Sequence, residues 1–241
     1  MGSSRFPGKP IAKICGMTMI EHVYRRTIAS RLVDVTCVAT CDAEIRDVAE
    51  SFGSRVIMTS SAHQRASDRV AEAVQHLEAE IVVMVQGDEP MIRPEMIDLA
   101  VEPLLKEAEV CCVNLIAKIN SLEDLLNPNT IKVVMDSNNN ALYFSREAIP
   151  TPRLAGFGKI PAYKQVCIIP FRRDTLFEFN RLSPTRLEEA ESIDMLRLLE
   201  HGYPVRLVES PYETQSVDTP QELSLVADKM RRDPFFLRYS A

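Results

Sequence analysis

The chain has 241 residues, 46% of them hydrophobic, enough to bury a full core as one large domain or as a domain with an appendage. A net charge of −6 and a pI near 5.4 argue against the basic stripe that a nucleic-acid-binding surface needs. No apolar run is long enough to span a membrane and no apolar signal segment opens the sequence, so we expect a cytoplasmic chain without membrane insertion.

Gly2-Ser3-Ser4-Arg5-Phe6-Pro7-Gly8-Lys9-Pro10 has the makings of a triphosphate loop. The two glycines let backbone N–H groups approach phosphate oxygens, Pro7 stiffens the turn, and Arg5 and Lys9 supply a planar fork and a point charge. It is not a Walker A loop: five residues separate Gly2 from Gly8, and Pro10 stands where a hydroxyl residue is required. A surface turn with two solvated cations explains the same residues without a ligand.

Thr18-Met19-Ile20-Glu21 reads as a capping box opening a helix with Ile20, Val23, Tyr24 and Ile28 on one face. Val33 to Ala39 reads as a buried strand. A helix from about Asp42 buries Ile45, Val48, Ala49 and Phe52 and stops at Gly53. Arg55 to Met58 is a short strand. Ser67 is expected to cap a helix carrying Val70, Val74 and Leu77. Ile81 to Val85 is the most apolar strand and Pro94 to Leu105 the next helix. The alternation predicts an α/β fold with a mostly parallel, doubly wound sheet.

After Cys111 the rhythm changes. Thr130 to Asp136 and Ala141 to Ser145 form a predicted hairpin turning at Ser137-Asn138-Asn139-Asn140, a lid or a dimer arm in character. A proline-rich loop from Ile149 to Pro161 precedes a strand from Tyr163 to Ile169. A long helix runs from about Pro184 to His201 and ends at Gly202, Val205 to Val208 is a late strand, and Thr219-Pro220-Gln221-Glu222 is a second capping box opening the last helix. Of the six cysteines, Cys37, Cys111, Cys112 and Cys167 lie in apolar runs and read as small buried hydrophobes rather than disulfides or zinc ligands.

Chemistry concentrates in three places. Gln86-Gly87-Asp88-Glu89-Pro90 follows the most apolar strand, where open α/β sheets bind ligands, and Asp88 is a hard oxygen donor suited to Mg²⁺. A polar turn after a buried strand is the plainer reading. Asp218 precedes the capped helix; it either helps satisfy that helix's N–H groups or joins Asp88 as a second metal carboxylate. His63-Gln64-Arg65-Ala66-Ser67-Asp68-Arg69 enters a helix, where Arg69 is either a nucleotide contact or part of a solvated face. His22, His76 and His201 lack metal-ligand spacing and receive no role.

With these residues in view, the sequence resembles the CMP-sugar-acid synthetase family, and within it the 3-deoxy-manno-octulosonate cytidylyltransferase branch. The resemblance rests on Ser4-Arg5-Phe6-Pro7-Gly8-Lys9-Pro10, Gln86-Gly87-Asp88-Glu89-Pro90, Asn127-Pro128-Asn129, Ala141-Leu142-Tyr143-Phe144-Ser145-Arg146 and Val217-Asp218-Thr219-Pro220, in that order. It implies a nucleotide-diphospho-sugar-transferase-like (Rossmann-like) fold and one domain over residues 1–241 with an inserted strand or lid region at about 130–170. It implies a homodimer and a step that feeds lipopolysaccharide biosynthesis. The implied reaction is Mg²⁺-dependent transfer of CMP from CTP to a 2-keto sugar acid with release of pyrophosphate. By the same resemblance Ser4, Arg5, Lys9, Ser67, Arg69 and Gln86 contact CTP, and Asp88 and Asp218 hold Mg²⁺. Lys9, Asp88 and Asp218 are then the catalytic set, and Gln86, Arg146, Gln165, Asp194 and Met195 face the sugar. Two other readings stay open: a nucleotidyltransferase of the same fold acting on another nucleotide or a sugar phosphate, and a catalytically silent nucleotide-binding homologue.

Three departures from the family pattern stand out. Gln165-Val166-Cys167-Ile168-Ile169-Pro170-Phe171-Arg172 lacks the family's His and first Tyr, and Glu191-Ser192-Ile193-Asp194-Met195-Leu196-Arg197 replaces a Glu-Gln pair with Asp194 and Met195. Both changes fall on positions that contact the sugar in the family, so a related 2-keto acid, an amino-substituted one among them, enters as an alternative acceptor. Met1 aligns inside a family motif that follows a first strand, which leads to the expectation that the natural protein begins about ten residues earlier.

Overall fold

The computed structural model describes residues 6–240, which gather into two compact units. One comprises the residues up to His76, Val85–Asp98 and those from Thr214 onward; the other comprises Leu77–Met84 and Leu99–Glu213.

In chain order, a 3₁₀ turn at Lys9–Ile11 leads into a ribbon of β1 (Lys13–Ile14) and β2 (Met17–Thr18). Cys15 and Gly16 both adopt positive φ, as a two-residue hairpin turn requires. The first helix, α1 (Met19–Thr27), buries Met19, His22, Val23 and Arg26 along one face. The capping box expected at Thr18 does not form. Thr18 belongs to β2 and pairs with Lys13, its hydroxyl is buried without a hydrogen bond, and Glu21 bridges to Arg25 instead.

Strand β3 (Cys37–Thr40) is shorter and later than the apolar run suggests, for Val35 is exposed and pairing begins only at Cys37. Helix α2 (Ala43–Ser51) carries the chain to β4 (Arg55–Met58), parallel to β3. The third helix, α3 (Ala66–Val74), has Arg65 rather than Ser67 at its N-cap position, with no side-chain capping bond; Ser67 is its second residue and is fully buried. Strand β5 (Ile81–Val85) and helix α4 (Pro94–Lys106) match their predicted ranges closely.

The second unit is built around β6 (Val113–Lys118), an almost wholly buried strand that the sequence pattern did not single out. Ser121 caps α5 (Leu122–Leu126), accepting the Asp124 N–H. The predicted hairpin is present as β7 (Lys132–Met135) and β8 (Ala141–Ser145), its turn closed by Asp136, whose carboxylate accepts the N–H groups of Asn138 and Asn140. A short helix, α6 (Pro152–Ala155), interrupts the proline-rich loop. The strand expected over Tyr163–Ile169 divides into β9 (Tyr163–Gln165) and β10 (Ile168–Arg172), because the first half pairs with β6 and β7 and the second with β5.

Helix α7 (Arg173–Arg181) was not anticipated. The single helix expected from Pro184 to His201 is two, α8 (Arg186–Glu191) and α9 (Met195–Glu200), broken where Ser192 turns left-handed at φ 54°. A buried Glu188–Arg197 ion pair at 2.6 Å ties the halves together. Strand β11 (Arg206–Ser210) completes a sheet in the order β11-β6-β9-β7-β8. The chain closes with α10 (Pro220–Met230), opened by the predicted Thr219 box, and α11 (Pro234–Tyr239), which pack Val226, Met230 and Phe236 against Ile14, Met19 and Val217.

The class is α/β. Pairs β3–β4 and β6–β11 run parallel, while the antiparallel pairs are the β1–β2 ribbon and those made by the inserted strands β7, β8 and β9. All six cysteines are free thiols; Cys112 is buried, whereas Cys37, Cys111 and Cys167 are only partly covered, which corrects the expectation of four buried ones.

Candidate active site

The first unit assembles its charged centre from three loops. Gly8 sits at φ 73°, a conformation an L side chain resists, and this turn starts the Lys9–Ile11 helix with the Ile11 N–H on the Gly8 carbonyl at 3.0 Å. Lys9 is thereby aimed inward: its Nζ donates to Asp88 Oδ2 at 3.0 Å and to Asp218 Oδ1 at 3.1 Å. All three side chains are largely covered. Burial pulls the Lys9 ammonium down, but attraction to Asp88 and then Asp218 outweighs it and holds the group above its ordinary value.

Each carboxylate has its own support. Asp88 follows β5, and its carbonyl accepts the Val217 N–H at 2.9 Å, which draws the Asp218 loop alongside. Asp218 is then fixed by the capping box: Glu222 Oε2 accepts the N–H groups of Asp218 at 2.7 Å and Thr219 at 2.8 Å. The helix N-terminus is served by Thr219 and Glu222, leaving the Asp218 carboxylate turned to Lys9. Gly87 allows a close approach, since a Cβ there would stand 3.1 Å from Ile20 Cδ1.

A divalent cation suits this donor set. Asp88 Oδ1 is buried and accepts no hydrogen bond, and two carboxylates with room for phosphate oxygens and water are the usual protein share of a Mg²⁺ site. Among the described residues no cluster of three or more His, Cys, Asp or Glu forms.

Ser4 and Arg5 lie outside the described residues. Arg69 donates to Thr59 Oγ1 at 2.6 Å and to the Ser60 carbonyl at 3.3 Å, so it is tied to the chain leaving β4. Beside it His63 and Ser60 both bond Glu72, whose carboxyl is held below the usual range first by the Ser60 N–H and then by His63. Gln86 is half-buried next to Asp88.

The remaining predicted residues belong to the second unit. Gln165 Nε2 donates to Asn114 Oδ1 at 2.5 Å. Arg146 directs its guanidinium at the carbonyls of Pro128, Glu191 and Ser192. Asp194 precedes α9, and Met195 is fully buried. Sequence reasoning missed Lys132 and Glu191, which surround Arg146. A lone lysine inside the apolar run Ile131-Lys132-Val133-Val134 was the available signal for the first; nothing local marks the second.

A family model described as cytidylyltransferase matches residues 1–237. The 3-deoxy-manno-octulosonate cytidylyltransferase of Geobacter metallireducens is 44% identical over 239 residues, spanning 95% of this chain and 94% of its own. That of Geobacter sulfurreducens is 44% identical over 238 residues, spanning 95% of each. A solved structure of CMP:2-keto-3-deoxy-manno-octonic acid synthetase complexed with CTP superimposes with a TM-score of 0.88 at 38% identity, covering 96% of this chain and 95% of that one. The 4-diphosphocytidyl-2C-methyl-D-erythritol synthase of Anaerococcus prevotii, at 15% identity and a TM-score of 0.64, shares the fold alone. The architecture is therefore nucleotide-diphospho-sugar-transferase-like.

Proposed function

The chain belongs to the cytidylyltransferase family and is a nucleotidyltransferase, and from that premise we propose that it transfers CMP from CTP to 3-deoxy-manno-octulosonate or a close 2-keto relative. The relatives named above act on this acid, and one neighbour holds CTP. The observation that carries the reading is the convergence of Lys9, Asp88 and Asp218 in one largely covered cluster.

In this reading the anomeric hydroxyl of the acid attacks the α-phosphorus in line and gives up its proton to the solvent, the new O–P bond forms as the bond to the β-phosphate oxygen breaks, and pyrophosphate leaves. Asp88 and Asp218 hold Mg²⁺, which when bound supplies charge neutralisation at the transferring phosphoryl group. Lys9 turns its ammonium to the CTP phosphates, and by the family resemblance Ser4, Arg5, Ser67 and Arg69 contact CTP as well. By the same resemblance Gln86 contacts both substrates, and Arg146, Gln165, Asp194 and Met195 contact the acid. No side chain serves as a covalent nucleophile, so the protein contributes position and electrostatics.

Homodimer formation and a cytoplasmic setting are part of the same proposal. Among the described residues no helix is long and apolar enough to cross a membrane. The test is pyrophosphate release with CTP, Mg²⁺ and a panel of 2-keto sugar acids, against the other nucleoside triphosphates. Turnover confined to CTP and octulosonate-type acids supports the assignment; preference for another nucleotide, or for a sugar 1-phosphate, overturns it.

A further inference from the structure

Lys132 lies in β7 opposite Ser145 of β8, and its side chain is fully buried. An ammonium withdrawn from water is retained only where its donors find acceptors. Here the acceptors are main-chain carbonyls: Nζ donates to Asn127 O at 2.9 Å and to Arg146 O. Burial pulls this lysine below its ordinary value, the main opposition coming from Glu147. The side chain thus joins two segments that flank the hairpin, the turn at Asn127-Pro128-Asn129 and the end of β8.

Those are the segments that meet at Arg146. Its Nη1 donates to Pro128 O at 3.1 Å, next to the carbonyl that Lys132 grips. From the other side Glu191 closes the arrangement. Its Oε2 accepts the Arg146 N–H at 2.8 Å and its Oε1 accepts the Ser145 hydroxyl at 2.8 Å. The Glu191 carbonyl accepts Arg146 Nε at 2.6 Å, and Ser192, turned left-handed at the end of α8, presents its carbonyl to Nη2 at 3.4 Å. Of the five guanidinium donors, one on each of the three nitrogens is engaged by these carbonyls. These bonds leave one N–H on Nη1 and one on Nη2, and a guanidinium can present two coplanar N–H groups to the two oxygens of a carboxylate.

We propose that Lys132 and Glu191 are positioning residues, which hold Arg146 so that its two remaining donors meet the carboxylate of the acceptor acid and so set the affinity for that substrate. The proposal rests on the reading of Arg146 as an acid contact given above. It assigns a task to a buried lysine and a half-covered glutamate whose hydrogen bonds go to the protein's own groups.

The experiment compares Lys132→Met, Glu191→Gln, Arg146→Ala and the double variant Lys132→Met/Arg146→Ala. The readouts are KM for 3-deoxy-manno-octulosonate and for CTP in pyrophosphate release, and CTP affinity by calorimetry. Arg146→Ala, Lys132→Met and Glu191→Gln should each raise KM for the acid by about tenfold, the loss expected of one charge-assisted hydrogen bond. CTP affinity should stay within about twofold, the scatter of sites that do not couple. In the Arg146→Ala background, Lys132→Met should add nothing. A rise in both constants together, or an additive double variant, would identify Lys132 as structural only and overturn the proposal. Unchanged acid KM in both Lys132→Met and Glu191→Gln, with a raised one in Arg146→Ala, overturns the positioning while leaving Arg146 as a contact. An unchanged acid KM in Arg146→Ala removes Arg146 from the acid site and this proposal with it. Should Lys132→Met fail to fold, Glu191→Gln carries the same comparison.

Discussion

Val217 donates its N–H to the carbonyl oxygen of Asp88 at 2.9 Å. That bond brings together two loops far apart in the chain, one leaving β5 and one entering α10, and sets two carboxylates on either side of the Lys9 ammonium. Neither loop is a site alone; the charge pattern exists only where they meet.

Asp88→Asn and Asp218→Asn should each lower pyrophosphate release by about a hundredfold or more, because an amide cannot neutralise a bound cation or its phosphate partners. Both residues sit in loops, so circular dichroism should report an intact fold. Wild-type turnover by either variant at saturating Mg²⁺ would remove it from the metal site.

Lys9→Met should weaken CTP binding by about tenfold through loss of a charge-assisted contact. It should also leave Asp88 and Asp218 facing each other without their cation, lowering thermal stability when metal is chelated. Added Mg²⁺ should then raise the melting temperature of the variant more than that of the wild type. Equal responses would mean that Lys9 does not neutralise this pair.

His22 supplies a pH dependence. It is fully buried, its Nε2 lies 2.8 Å from the Ile14 carbonyl and its Nδ1 lies 2.8 Å from the Tyr239 hydroxyl. A carbonyl can only accept, so Nε2 carries the proton and Nδ1 accepts from Tyr239. Burial holds the ring below its ordinary value of 6.5 against the pull of the Ile14 carbonyl, and Arg26 adds to the depression. The unfolded chain therefore takes up this proton at a higher pH than the folded one. Stability should be full above about pH 6.5 and fall as pH drops below it. Urea midpoints measured across that range should show the loss, and His22→Gln should flatten it; an identical profile in the variant would refute the assignment.

Arg26 and Asp233 form a buried pair between α1 and the start of α11, with Arg26 also stacked over Phe235 and Tyr239. Burial raises the Asp233 carboxyl, but Arg26 outweighs it and holds the group below 3.8. Its contribution is thus present above that value and lost as pH falls through the lowered one. Arg26→Met leaves an unpaired buried carboxylate and should cost about 3–5 kcal/mol near neutral pH, read as a lower urea midpoint. A shift below about 1 kcal/mol would mean that the pair is not desolvated as the geometry requires.

Much of the frame was legible from local pattern. Arg55–Met58, Ile81–Val85 and Ala141–Ser145 are strands with the predicted bounds, because short apolar runs between turn residues encode a strand in their own neighbourhood. The Thr219 capping box formed since both of its partners lie within one turn of helix. Asp88 and Asp218 were singled out by their positions after a strand and before a helix. Local pattern failed where distant partners compete for the same residues. Thr18 had the residues of a cap but was drawn into pairing with Lys13. Tyr163 to Ile169 looks continuous, yet its two halves join different strands and must separate at Val166 and Cys167. The Pro184–His201 helix breaks at Ser192, whose carbonyl turns to Arg146 across the unit. Lys132 and Glu191 show the limit most plainly. A buried lysine and a half-covered glutamate acquire their roles from carbonyls and hydroxyls brought to them by folding, and hydrogen-bond geometry at 3 Å has no counterpart in residue order.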